Sequence, residues 1–171
     1  MNIKDTIRVI EDFPVKGISF KDITTLIKDS EALTYTIDKM AEVIGTDIDV
    51  IVGPESRGFI FGTPVAYKVG KGFVPVRKPG KLPAETEAFS YELEYGSDAL
   101  EIHKDAIYEG QKVVIVDDLL ATGGTLKSTA KLIEKLGGKV VKIVTLIELT
   151  SLGGRDKLDG YDTVSLVQYE C

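Results

Sequence analysis

Four stretches of this chain read as strands with no solvent-facing side: DVIVG (49–53), GFVPV (72–76), VVIV (113–116) and KVVKIVTLIEL (139–149). Each is a near-continuous apolar run instead of an alternation of apolar and polar residues, and helical patterns lie between them. A strand buried on both faces needs helices above and below it. That is the demand of a parallel sheet joined by right-handed crossovers. At 171 residues and 43% hydrophobic content the chain can fill one sizeable core. The expected fold is α/β: a single domain over residues 1–171, with a mainly parallel twisted sheet flanked by helices.

Other elements follow from local patterns. Ile3, Ile7 and Ile10 share a face of a short helix that Pro14 and Gly17 end. Residues 13–24, FPVKGISFKDIT, have no clear period and read as an irregular excursion. Ser30 is placed to cap a helix running through Leu33, Ile37, Met40 and Ile44 to a stop at Gly45. A further helix is expected over about 57–68, a long polar loop over 77–90, and a hairpin on a solvated sheet edge from the alternation in SYELEY and LEIHKD. A helix ending near Leu136 and a last strand, TVSLVQY, complete the chain.

In such sheets ligands bind at the carboxyl ends of the strands. The run VVIV ends at two adjacent carboxylates, Asp117 and Asp118, followed by the turn ATGGT (Ala121, Thr122, Gly123, Gly124, Thr125) and a helical pattern. Two like charges at the end of a buried strand are costly unless something holds them. The glycines permit close backbone approach, and free amides at a helix start cradle a phosphate. The turn has neither the Gly-Lys-Ser/Thr of a Walker A loop nor the spacing of a dinucleotide fingerprint. A seat for one phosphate beside acceptors for two hydroxyls describes a ribose 5-phosphate.

Composition narrows the setting. A net charge of −6 lacks the basic excess of a general nucleic-acid binder. No apolar run reaches 18 residues, so neither nucleic acid nor membrane is an expected partner. One cysteine, Cys171, and one histidine, His103, leave no intrachain disulfide and no Cys or His metal cluster. A cytoplasmic location is the expectation.

VVIVDDLLATGGT resembles the phosphoribosyl-pyrophosphate motif of the type I phosphoribosyltransferases. The resemblance implies that Asp117 and Asp118 bind the ribose hydroxyls while Ala121 to Thr125 hold the 5′-phosphate. DFPVKGISFKDIT, IVGPESRGFIFG, VRKPGKLP, YELEYG and IELTSLGGR extend it over nearly the whole chain, in the pattern of the adenine branch. That branch makes AMP and pyrophosphate from adenine and 5-phosphoribosyl 1-pyrophosphate, with magnesium, as a homodimer. The metal would be held mainly by substrate and water oxygens, not by a protein cage.

By the same resemblance the backbone of Glu55 and Ser56 lines the pyrophosphate with an unusual peptide geometry, and Arg57, Arg77 and Lys81 meet its charge. The Glu55 side chain itself is expected to have no strict role. Phe20 and Leu119 sandwich adenine, the Ser19 carbonyl and Lys21 amide read its edge, Glu94 handles the purine proton, and Tyr95 closes over the ribose. Residues 1–29 form a hood over the base, and 77–96 a mobile lid that excludes water from a reactive ribosyl centre. Taken by position alone, Glu94 is one polar residue of an alternating strand and Phe20 ordinary core. Two rivals share the ribose motif: a 6-oxopurine or orotate phosphoribosyltransferase, and a noncatalytic sensor of phosphoribosyl pyrophosphate. The hood segment and Glu94 favour the adenine branch over the first. The absence of a spare domain or basic face disfavours the second.

Overall fold

The computed structural model describes residues 1–92 and 97–170. Five strands form the central sheet, in the order β4 (Gly72–Val76), β3 (Val50–Pro54), β7 (Lys112–Leu120), β8 (Lys139–Leu149), β9 (Thr163–Tyr169). All four pairings are parallel. β3 and β7 are buried on both faces, as expected, whereas GFVPV forms the edge strand β4 and is fully buried only at Val76. Along β7, Val114 and Val116 enter one core layer with Ile37 and Met40 of α2 (Ser30–Ile44) and Phe61 and Val65 of α3 (Arg57–Val69). Val113 and Ile115 enter the other, with Leu126, Ala130 and Ile133 of α4 (Gly124–Lys135). This period-2 alternation within an apolar run is what a strand covered from both sides requires.

Two small antiparallel sheets flank the main one, the second of them bridged to the end of β4 by Arg77 and Glu101. β1 (Arg8–Ile10) pairs with β2 (Phe20–Asp22) to frame the N-terminal segment. β5 (Thr86–Glu92) pairs with β6 (Ser97–His103) as the expected hairpin, with Ser90 opposite Ala99. Its edge is less solvated than expected: Leu100 and Ile102 are buried, and Phe89 and Tyr91 pack beside them on the α4 layer. β5 also starts at Thr86, so the irregular part of the polar loop ends at residue 85.

Local reading failed in three other places. The first helix is only a 3-10 turn, Ile3–Thr6; Arg8–Ile10 is extended because a partner strand twelve residues downstream completes its hydrogen bonds. Ile3 and Ile7 still reach the core, so the period was real and its cause was tertiary. The cap of α2 is Asp29, whose carboxylate accepts from the amides of Glu31 and Ala32 at 3.0 Å each; Ser30 is the first helical residue. Gly45 ends that helix as expected. A 3-10 turn (Thr150–Leu152) and the short α5 (Gly154–Lys157), both between β8 and β9, carried no periodic signal. α1 (Thr24–Ile27) is likewise one turn long.

Candidate active site

The sheet order reverses between β3 and β7, because β3 continues to β4 on one side and β7 to β8 on the other. Loops leaving these strands diverge and open a crevice between them. It is a cleft of about 530 Å³, walled on one side by Glu55, Ser56 and Arg57 and on the other by Asp117, Asp118, Leu119 and the turn from Ala121 to Thr125. Asp117, Asp118 and all five residues expected at the 5′-phosphate are in this cleft, together with three of the five expected at the pyrophosphate.

After β3 the Glu55–Ser56 peptide is cis. Ser56 stands at the N-cap of α3 without making a side-chain capping bond. Arg57 Nε lies 2.9 Å from Asp118 Oδ2, so the guanidinium crosses the crevice. The Glu55 carboxylate is occupied as well: Oε1 accepts from Arg77 Nε at 3.2 Å and from the Lys78 amide at 2.8 Å. That side chain therefore ties the start of the 77–85 loop to the cleft. No local pattern marks this tether, because the partners are 22 and 23 residues apart.

Across the crevice Asp117 and Asp118 are both buried. Asp117 Oδ1 accepts the Asp118 amide at 2.8 Å. Burial pushes the Asp117 carboxyl well above the usual carboxylate range, and the neighbouring Asp118 charge adds to the shift. Burial raises Asp118 too, against the pull of the Arg57 guanidinium. Gly123 has φ +87° and caps α4, which starts without a side-chain capping bond. The first amides of this helix are thus left for a ligand, at the positive end of the helix dipole. The Tyr91 ring approaches Gly124, and its hydroxyl donates to Asp98 at 3.2 Å, so the hairpin leans over the turn.

Among the described residues, Ser19, Phe20, Lys21, Arg77 and Lys81 lie outside the cleft wall. Phe20 is half-buried and meets Phe13 edge-on at 5.2 Å between centroids. Lys21 is buried; its Nζ donates to Ser19 Oγ at 2.7 Å and stands 4.8 Å from the Tyr169 ring centre. Asp22 anchors this segment, accepting from Thr24 and from Arg8 Nε and Nη2, contacts that hold its carboxyl down at about 2. Leu119 alone of the four base-site residues lines the crevice. Lys81 is exposed on its loop. Glu94 and Tyr95 lie outside the described residues.

Residues 19–169 match the phosphoribosyl transferase domain family. The chain is 64% identical to an adenine phosphoribosyltransferase of Clostridium novyi (strain NT), over 99% of both chains. The chain belongs to the adenine phosphoribosyltransferase family. Solved members superpose closely. One from Thermoanaerobacter pseudethanolicus, 62% identical, aligns over 98% of each chain with a TM-score of 0.94. Another, from Saccharomyces cerevisiae, is 40% identical over 96% of each chain with a TM-score of 0.90, and was solved with an iminoaltritol bisphosphate and adenine. Within the adenine phosphoribosyltransferase fold, two contacts here went unread in the sequence: Glu55 with Arg77, and Glu148 with Arg155. Both partners of the second pair stand in the quoted segment IELTSLGGR, but nothing local marks them as paired.

Proposed function

We infer that this chain transfers the 5-phosphoribosyl group of phosphoribosyl pyrophosphate to adenine, releasing pyrophosphate and forming AMP. The observation that carries the reading is the juxtaposition, in one crevice, of a paired-carboxylate strand end and an uncapped helix start. The first suits two vicinal hydroxyls and the second a phosphate, the two polar features of one ribose 5-phosphate, and both line the same cleft. Asp117 and Asp118 bind the sugar hydroxyls, and the backbone from Ala121 to Thr125 binds the 5′-phosphate. The backbone at Glu55 and Ser56 receives the pyrophosphate, with Arg57, Arg77 and Lys81 meeting its charge as the ribosyl centre becomes electron-poor. Arg57 must leave Asp118 to do so, which frees that carboxylate for the ribose.

Phe20 and Leu119 stack on the base, and the Ser19 carbonyl and Lys21 amide pair with its amino group and ring nitrogen. Glu94 exchanges the purine proton, and Tyr95 closes over the sugar as the 77–96 lid excludes water. Residues 1–29 act as the hood. Among the described residues no three His, Cys, Asp or Glu side chains gather into a metal site. Burial disfavours the charged forms of Asp117 and Asp118, the two carboxylates at the proposed sugar, which fits a magnesium ion bound chiefly by substrate and water oxygens. That ion would spread the charge of the departing pyrophosphate. A homodimer in the cytoplasm is the proposed working form. Among the described residues no helix is long and apolar enough to cross a membrane.

The test is turnover of adenine, hypoxanthine, guanine and orotate with phosphoribosyl pyrophosphate and magnesium. Adenine should exceed both 6-oxopurines by at least ~10²-fold in kcat/KM, because the reversed donor pattern leaves buried groups unpaired. Comparable rates with hypoxanthine would remove the adenine assignment while leaving the sugar site intact.

A further inference from the structure

We propose that Arg155 and Glu148 are positioning residues for the turn at 121–124, acting through the backbone of Gly154. The inference rests on reading that turn as the 5′-phosphate seat. Glu148 lies at the end of β8, in register with Leu120, the last residue of β7 before the turn. It is 4% exposed, an expensive location for a carboxylate. Arg155 answers it with two bonds, Nε to Oε1 at 2.9 Å and Nη2 to Oε2 at 2.5 Å. The third guanidinium nitrogen, Nη1, donates to the Thr163 carbonyl at the start of β9. Gln168 Nε2 adds a bond to Glu148 Oε2 at 3.3 Å. One planar group thus locks α5 to the ends of two strands.

Held in this way is Gly154, the residue before Arg155. Its α-carbon face presses on the turn so closely that an added Cβ would overlap the Ala121 carbonyl oxygen and come within 2.9 Å of Leu120 Cδ1. From the other side, a Cβ on Gly123 would come within 2.7 Å of the Gly154 carbonyl oxygen. The two backbones are in direct contact, so the height of the turn depends on where Gly154 sits. Neither Glu148 nor Arg155 lines the cleft, so any effect on ligand must pass through this contact. An ion pair with one buried carboxylate and one exposed guanidinium adds little net stability. Its directional bonds do define a position, and that is what a phosphate cradle built from backbone amides needs.

Arg155→Ala, Arg155→Lys and Gly154→Ala test this, with melting temperature recorded for each. Arg155→Lys keeps a cation against Glu148, so it preserves folding even if Arg155→Ala does not. In Arg155→Lys the KM for phosphoribosyl pyrophosphate should rise by ~10-fold, the loss expected for about one charge-assisted hydrogen bond, while kcat and the adenine KM change less than ~3-fold. Affinity for AMP should fall in parallel and affinity for adenosine, which lacks the phosphate, should not. Arg155→Ala and Gly154→Ala should exceed Arg155→Lys in the same direction. A folded variant set with unchanged AMP affinity, or with AMP and adenosine weakened equally, overturns the proposal. Failure of the wild type to turn over adenine would instead overturn the functional reading beneath it.

Discussion

Glu94→Gln is expected to slow the chemical step by ~10² to 10⁴-fold, the range of a lost general acid-base group. The amide keeps the size and polarity of the side chain but cannot exchange a proton near neutral pH. Affinities for adenine and phosphoribosyl pyrophosphate should change far less, since the interaction matters chiefly in the transition state. Reopening of a lid can limit steady-state turnover and hide such a loss. Single-turnover measurement avoids this by excluding product release. An exposed strand residue would instead cost little in rate or stability. A near-normal chemical step would return Glu94 to that ordinary role.

The second large effect is at the acidic pair, where binding and stability should move in opposite directions. Asp117→Asn with Asp118→Asn should severely weaken calorimetric binding of phosphoribosyl pyrophosphate, because on the proposed reading neutral amides replace the charged acceptors of two ribose hydroxyls. The same change should raise the melting temperature at pH 7. The native Asp117 carboxyl is held above its unfolded range by burial and by Asp118, so ionisation disfavours the native state. Stability from such a group is fully present below its unfolded pKa, about 4, and is lost as pH rises through the raised native value. The stabilising gain of the asparagines should therefore shrink to nothing as pH falls below about 4. A variant pair that binds the substrate normally would show that the carboxylates do not read the sugar.

Legibility tracked distance along the chain. The strand from Val113, the acids after it and the glycine turn occupy thirteen consecutive residues, and one local pattern revealed the fold layer and half of the site. β1 was misread because its partner lies beyond an irregular loop, and a three-residue strand has no period of its own to compete with Ile3, Ile7 and Ile10. Asp29 and Ser30 are both good caps, and only geometry decides between neighbours. The resemblance leaves the Glu55 side chain without a strict role, and no local pattern marks it as a tether. Its clamp on Arg77 and Lys78 depends on β4 returning beside β3. Burial of Glu148 could not be foreseen, since an acid ending an apolar strand gives no hint of the arginine seven residues on that satisfies it.

The reversal of strand order at β3 and β7 also bears on how the molecule assembles. β7, β8 and β9 are successive strands and can pair as they emerge. β3 meets β7 only through contacts such as Val50 with Val113, a sequence separation of 63. Loop closure of that span costs entropy before any pairing repays it, so this is a slow contact to make. Refolding should therefore raise the Asp117–Thr125 wall of the crevice, the proposed sugar-phosphate side, before the Glu55–Arg57 wall, the proposed pyrophosphate side. In a stopped-flow experiment, recovery of ribose 5-phosphate binding should lead recovery of pyrophosphate binding. Simultaneous recovery would mean that the crevice closes as one cooperative unit. The strand swap that creates the binding site is in this sense also the clock by which catalytic competence arrives.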